Sequence, residues 1–142
     1  MIERTAEGLY CRAADAWVDP WRPVPRALIT HAHADHARAG CGEYWAVDVS
    51  EGVLRQRLGQ EICLHPVRYG EPIWLGQCRV SFHSAGHVLG SAQIRLESEG
   101  EVWVVSGDYK RDDDPSCAPF EPVTCDVPVS YTHLTLPTNR EV

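Results

Sequence analysis

No apolar run in the 142 residues reaches the roughly 18 to 20 positions that a membrane-spanning helix needs. The opening Met1-Ile2-Glu3-Arg4-Thr5 lacks the basic-then-apolar order of an export signal, so the expected location is the cytoplasm, with no membrane partner. Basic charge is also scarce: 13 Lys plus Arg stand against 20 Asp plus Glu, a formal charge of −7. That balance excludes a chain that coats nucleic acid by bulk electrostatics, and a nucleic-acid enzyme of this composition needs a local device such as bound cations. There is no Cys-x-x-Cys, which removes a zinc ribbon and a thioredoxin-type redox centre. The six cysteines, Cys11, Cys41, Cys63, Cys78, Cys117 and Cys125, are scattered and read as reduced core thiols rather than a disulfide framework. Internal repeats and disorder-type composition are absent too. A hydrophobic content of 44% fits one soluble domain or a piece of a larger one.

Short two-residue periodicity broken by Gly, Pro and Asp predicts many short strands and few helices, an α/β (α+β), strand-rich chain. Gly8 to Ala13 and Ala16 to Asp19 read as a strand pair, followed by a loop rich in proline. Arg26 to Thr30 reads as a buried strand and Tyr44 to Val47 as another. Ser50 to Leu58 carries Val53, Leu54 and Leu58 at helical spacing, with Ser50 as cap and Gly59 past the end. Cys78, Val80 and Phe82 alternate with polar residues, as do Ala92, Ile94 and Leu96. Val102 to Val105 is continuous, with a hairpin turn at Glu99-Gly100-Glu101 before it.

Three of the seven histidines fall in His31-Ala32-His33-Ala34-Asp35-His36, directly after the strand ending at Thr30. In an extended segment, residues two apart point the same way, so His31 and His33 can meet one cation. If the chain then turns, Asp35 and His36 reach a different side of the loop and can face a second. The glycine-flanked Ser84-Ala85-Gly86-His87-Val88-Leu89-Gly90-Ser91 offers His87 as a third ligand to the first cation. Val102 to Ser106 empties into Gly107-Asp108, and Asp108 is placed to bridge two cations. A solvated histidine-rich loop is the bland alternative. It does not explain an aspartate between the histidines, a buried strand before them and two later ligands after glycine. His65 is a weaker candidate, and His83 reads as a solvated or hydrogen-bonded side chain. Asp112, Asp113 and Asp114 read as an exposed loop, and Lys110 stands close enough to Asp108 to meet a phosphate. Asp19 either orients a ligand histidine or serves as a turn residue.

On these residues the chain resembles the metallo-β-lactamase superfamily, whose motif is His-x-His-x-Asp-His with a later His and a later Asp. Gly8 to Cys11, Val18 to Val24, Thr30 to Arg38, Ala85 to Gln93 and Val104 to Lys110 are similar to ligase-associated DNA exonucleases, relatives of the β-CASP nucleases. The resemblance implies the N-terminal part of an αββα sandwich. It also implies two zinc ions held by His31, His33, Asp35, His36, His87 and Asp108, with Asp35 and Asp108 catalytic and water activated between the metals as nucleophile. It further implies a DNA substrate in preference to RNA, a role in DNA repair, and a DNA ligase or helicase as partner. The family supplies a further second-site histidine from its C-terminal half. Here that site has only Asp35, His36 and the shared Asp108, so one zinc is expected to bind tightly and the second weakly. A thioester or lactone hydrolase on the same fold, and a non-catalytic zinc-binding fragment, are the alternatives. Residues 1–128 are read as a truncated nuclease domain. Val129 to Thr138 resembles a translated sequencing adapter, so 129–142 are expected to be a non-native tail, His133 with them.

Overall fold

A computed structural model of the chain describes residues 1–33, 36–86, 88–106 and 118–129. Two sheets lie face to face. The first has six strands, β1 (Ile2–Thr5), β2 (Gly8–Cys11), β3 (Ala16–Val18), β4 (Arg26–Leu28), β5 (Glu43–Val47) and β6 (Leu64–Val67), side by side in that order. β1 to β3 form an antiparallel meander, and β3 to β6 run parallel. The second sheet holds β7 (Ile73–Leu75), β8 (Cys78–Ser84), β9 (Ala92–Ser98) and β10 (Glu101–Val105) as antiparallel neighbours, with β11 (Val127–Val129) parallel to β10.

Alternation explains the sandwich. Val18, Leu28, Val47 and Val67 from the first sheet meet Val80, Phe82, Ile94, Leu96 and Val105 from the second in one buried cluster. The residues between them, Ala27, Tyr44, Ala46 and Leu64, face the other way, where helix α1 (Glu51–Leu58) and the segment after β4 cover them with Leu54, Ile29, Ala32 and Ala37. Two central β layers and one outer helical layer are therefore present among the described residues, as the strand-rich mixed class requires. None of the described helices is long and apolar enough to cross a membrane.

The expected strands form, with β4 ending at Leu28 rather than Thr30. Four strands, β1, β6, β7 and β11, and the 3-10 turn before α1 are not marked by the sequence pattern. The hairpin at Glu99 (φ 52°) and Gly100 (φ 78°) uses two left-handed residues, as a type I′ turn requires. Ser50 does not cap α1 with its hydroxyl. A 3-10 turn over Asp48–Ser50 leads into the helix, so Ser50 has helical angles and its Oγ donates back to the Val47 carbonyl at 2.7 Å. The cysteines also need correction. Cys11 and Cys78 are buried, but Cys41 and Cys125 are half-buried and Cys63 is exposed; all five are free thiols, and Cys117 lies outside the described residues. The Cys78 thiol beside Cys11 holds the Cys11 pKa down, to about 7.

Candidate metal centre

Parallel pairing of β3 to β6 puts their carboxyl ends on one edge, the place where sheets of this kind carry ligands. Asp19 follows β3 there and His31 follows β4. Their backbones are joined by the Asp19 amide donating to Leu28 O at 2.9 Å. Asp19 has φ 44°, a left-handed angle that aspartate tolerates better than most residues. That turn carries its carboxylate inward, where it is only 2% exposed.

The carboxylate organises the histidine segment. Its Oδ1 accepts the Thr30 amide at 2.7 Å, and its Oδ2 accepts both the Thr30 hydroxyl at 2.5 Å and His36 Nδ1–H at 2.8 Å. Because the Thr30 hydroxyl spends its proton on Asp19, its oxygen can only accept from His31 Nδ1, 3.1 Å away. Both imidazoles thus carry a proton on Nδ1, so that either ring, when neutral, presents its lone pair at Nε2. This is the arrangement that orients metal-bound histidines. Burial pushes the Asp19 pKa up, against the opposing pull of His36 and Thr30. Asp19 fills both roles that the sequence left open, a turn residue with a left-handed φ and the hydrogen-bond partner that orients His36.

The rings themselves gather. His31, 1% exposed, has its centroid 4.6 Å from that of His33 and 4.2 Å from that of His36. The chain turns between them, with the His36 and Ala37 amides both donating to His33 O at 3.0 and 2.9 Å. Arg57 on α1 donates to the Ala32 carbonyl and so ties the helix to this turn.

Asp35, His87 and Asp108 lie outside the described residues, as do Lys110 and Asp112 to Asp114, but the segments leading to the first three converge. The Ala92 amide donates to Thr30 O at 2.7 Å, which seats the loop between β8 and β9 beside the histidine turn. In that loop Gly86 and Gly90 have φ of 69° and 77°, and a Cβ on Gly90 would stand 2.7 Å from Ser50 Cβ. Tyr69 fixes the loop's far side by donating to Ser91 O at 2.8 Å. Val105 pairs with Ile94, so β10 ends at the same edge. His83 is hydrogen-bonded, its two nitrogens 2.8 Å from Ser81 Oγ and 2.9 Å from Glu121 Oε2.

Clustered imidazoles held by a buried carboxylate form a donor set that fits a borderline divalent cation such as zinc. No family model matches the chain. Among solved structures, a B3 metallo-β-lactamase with an active-site glutamic acid superposes on 74% of this chain and 56% of its own, with TM-score 0.54 and 16% identity. The chain has the metallo-β-lactamase fold. The histidine turn of this metallo-β-lactamase-fold chain stands at the carboxyl edge of its parallel strands. In sequence, a probable DNA ligase of Opitutus terrae is 31% identical over 144 residues, covering 96% of this chain and 14% of the ligase. A ribonuclease of Thermus thermophilus is 34% identical over 133 residues, covering 72% of this chain and 31% of the ribonuclease. The chain spans less than a third of the length of either relative.

Proposed function

We propose that the chain belongs to the nuclease branch of the metallo-β-lactamase superfamily and is part of a zinc-dependent phosphodiester hydrolase, a DNA exonuclease working with a ligase in repair. The observation that carries this is the gathering of His31, His33 and His36 around Asp19 at the edge where the two other motif-bearing segments arrive. The names of the sequence relatives, a probable DNA ligase and a ribonuclease, support a nucleic-acid substrate.

In this reading His31, His33 and His87 hold the first zinc. Asp35, His36 and Asp108 would hold the second. Bound zinc supplies positive charge to the phosphoryl oxygens and brings the pKa of water to about 7. Asp35 would orient the attacking water and take its proton as the new O–P bond forms and the bond to the leaving nucleoside oxygen breaks, that oxygen taking its proton from solvent. Asp19 and Thr30 fix the imidazole tautomers so that Nε2 of His31 and of His36 are the donor atoms. The cations also give an acidic chain the local charge needed to hold a phosphate. Residues 1–128 are read as the nuclease portion and 129–142 as a non-native tail, although Val129 itself pairs with Val105 in β11 and is buried; sequencing the parent DNA for adapter sequence tests where the division falls.

The functional test compares hydrolysis of single-stranded DNA, RNA and a thioester by the zinc-loaded chain and by the longer Opitutus relative, each beside its His31→Ala equivalent. Zinc-dependent release of nucleotides from DNA, lost in the variant, is expected of the relative. Preference for RNA would correct the substrate, and thioester cleavage without nuclease activity would overturn the proposal.

A further inference from the structure

At the opposite edge of the first sheet, a second group of metal-type donors meets. We propose that Glu43, Cys63 and His65 form a separate site for a soft or borderline divalent cation of the zinc class, independent of the histidine turn. Their ligand atoms lie within 4.8 Å of one another. The register creates the group: Trp45 pairs with His65 and the Tyr44 amide bonds Cys63 O, so residues 43, 63 and 65 share one face at the amino ends of β5 and β6. Glu43 pairs with Arg26, five residues before His31, which places the two centres roughly 16 Å apart along the strands.

Cys63 Sγ is 3.6 Å from His65 Nε2. Zinc bonded to sulfur at about 2.3 Å and nitrogen at about 2.05 Å in a tetrahedron separates the two donors by about 3.6 Å, so this edge of a coordination sphere is already in place. Glu43 Oε1, 2.9 Å from the same nitrogen, needs to open by a few tenths of an ångström to become the third donor. The remaining parts hold the donors still. Trp45 stacks on the His65 ring at 4.1 Å and 16°, and Arg26 Nε, 3.6 Å from Glu43 Oε2, engages the oxygen that the cation does not use. Cys63 is exposed, so the cation enters from solvent, displaces the thiol proton to water and the Nε2 proton shared with Glu43 to water or to Nδ1, leaving His65 in its Nδ1–H form, and keeps a water as fourth ligand. Bound there, it fastens the edge strand β6 to β5.

Cobalt(II) titration of the full chain distinguishes this site from the histidine centre, because only the new site contributes a thiolate. The expected result is a near-ultraviolet sulfur-to-cobalt charge-transfer band. Cys63→Ser should abolish it, His65→Ala should weaken binding at least about 100-fold, and Glu43→Gln should weaken it about 10-fold. His31→Ala should leave the band intact, and so should Cys41→Ser. In the unaltered chain, zinc should slow iodoacetamide alkylation of Cys63, read by peptide mass spectrometry. A band that survives in Cys63→Ser, no band in a large excess of cobalt, or alkylation at the same rate with and without zinc would overturn the proposal.

Discussion

Asp19 is the residue on which the histidine turn depends, and its part is testable apart from any catalytic assay. Asp19→Asn keeps a side chain that tolerates the left-handed angle and can still accept the Thr30 amide, but it removes the carboxylate that receives His36 Nδ1–H and the Thr30 hydroxyl. We expect a loss of about 10- to 100-fold in affinity for the cation bound by His36. We also expect about 1–3 kcal/mol of lost stability, from calorimetric zinc titration and urea unfolding respectively. Unchanged zinc affinity would mean that Asp19 is only a structural anchor. At this scale the sequence is legible where donors are adjacent: His31, His33 and His36 sit within one turn, and their closeness follows from local spacing. Glu43, Cys63 and His65 are twenty residues apart in two blocks, and nothing but the parallel register of β5 and β6 joins them. For the same reason Cys63 reads as a core thiol in the sequence and is exposed in the fold.

The elements that carry the turn make their own predictions. Gly90→Ala places a methyl 2.7 Å from Ser50 Cβ on a backbone with φ 77°, so the loop between β8 and β9 must shift away from Ser50. The expected cost is about 1–3 kcal/mol in denaturant unfolding. Combining it with Ser50→Gly should restore part of that loss, so the two changes should not add. Full additivity would show that the contact does not form. In α1, Leu54 is the buried residue, and an eight-residue helix is marginal by itself, so Leu54→Ala should cost about 2–5 kcal/mol. A cost below 1 kcal/mol would mean that the helix does not depend on this anchor. Strands with clean alternation, β8 and β9 above all, are readable as such. β6 is hidden by Pro66, which only an edge strand accommodates, and β7 is too short to show a period. The helix start misleads because the preceding 3-10 turn had already given Ser50 helical angles.

For the whole molecule, periodicity predicts the dominance of sheet but not how the strands are ordered. The sandwich is implied by the family resemblance alone, and the parallel run from β3 to β6, which builds both donor clusters at its two ends, is visible only in the fold. A chain of net charge −7 should bind single-stranded DNA only with its cations in place. Fluorescence anisotropy should therefore lose the complex on adding EDTA, and persistence of binding would remove the link between metal and substrate. Zinc should also stabilise the fold, by about 2.7 kcal/mol at a hundredfold excess over its dissociation constant. The central claim is that the histidine turn, together with His87, holds zinc. It is tested most directly by zinc content per chain in a Cys63→Ser background, where only that centre is counted, with and without His31→Ala and His87→Ala. The account predicts about one tightly held zinc, lost in either variant. Full zinc content in both would contradict it.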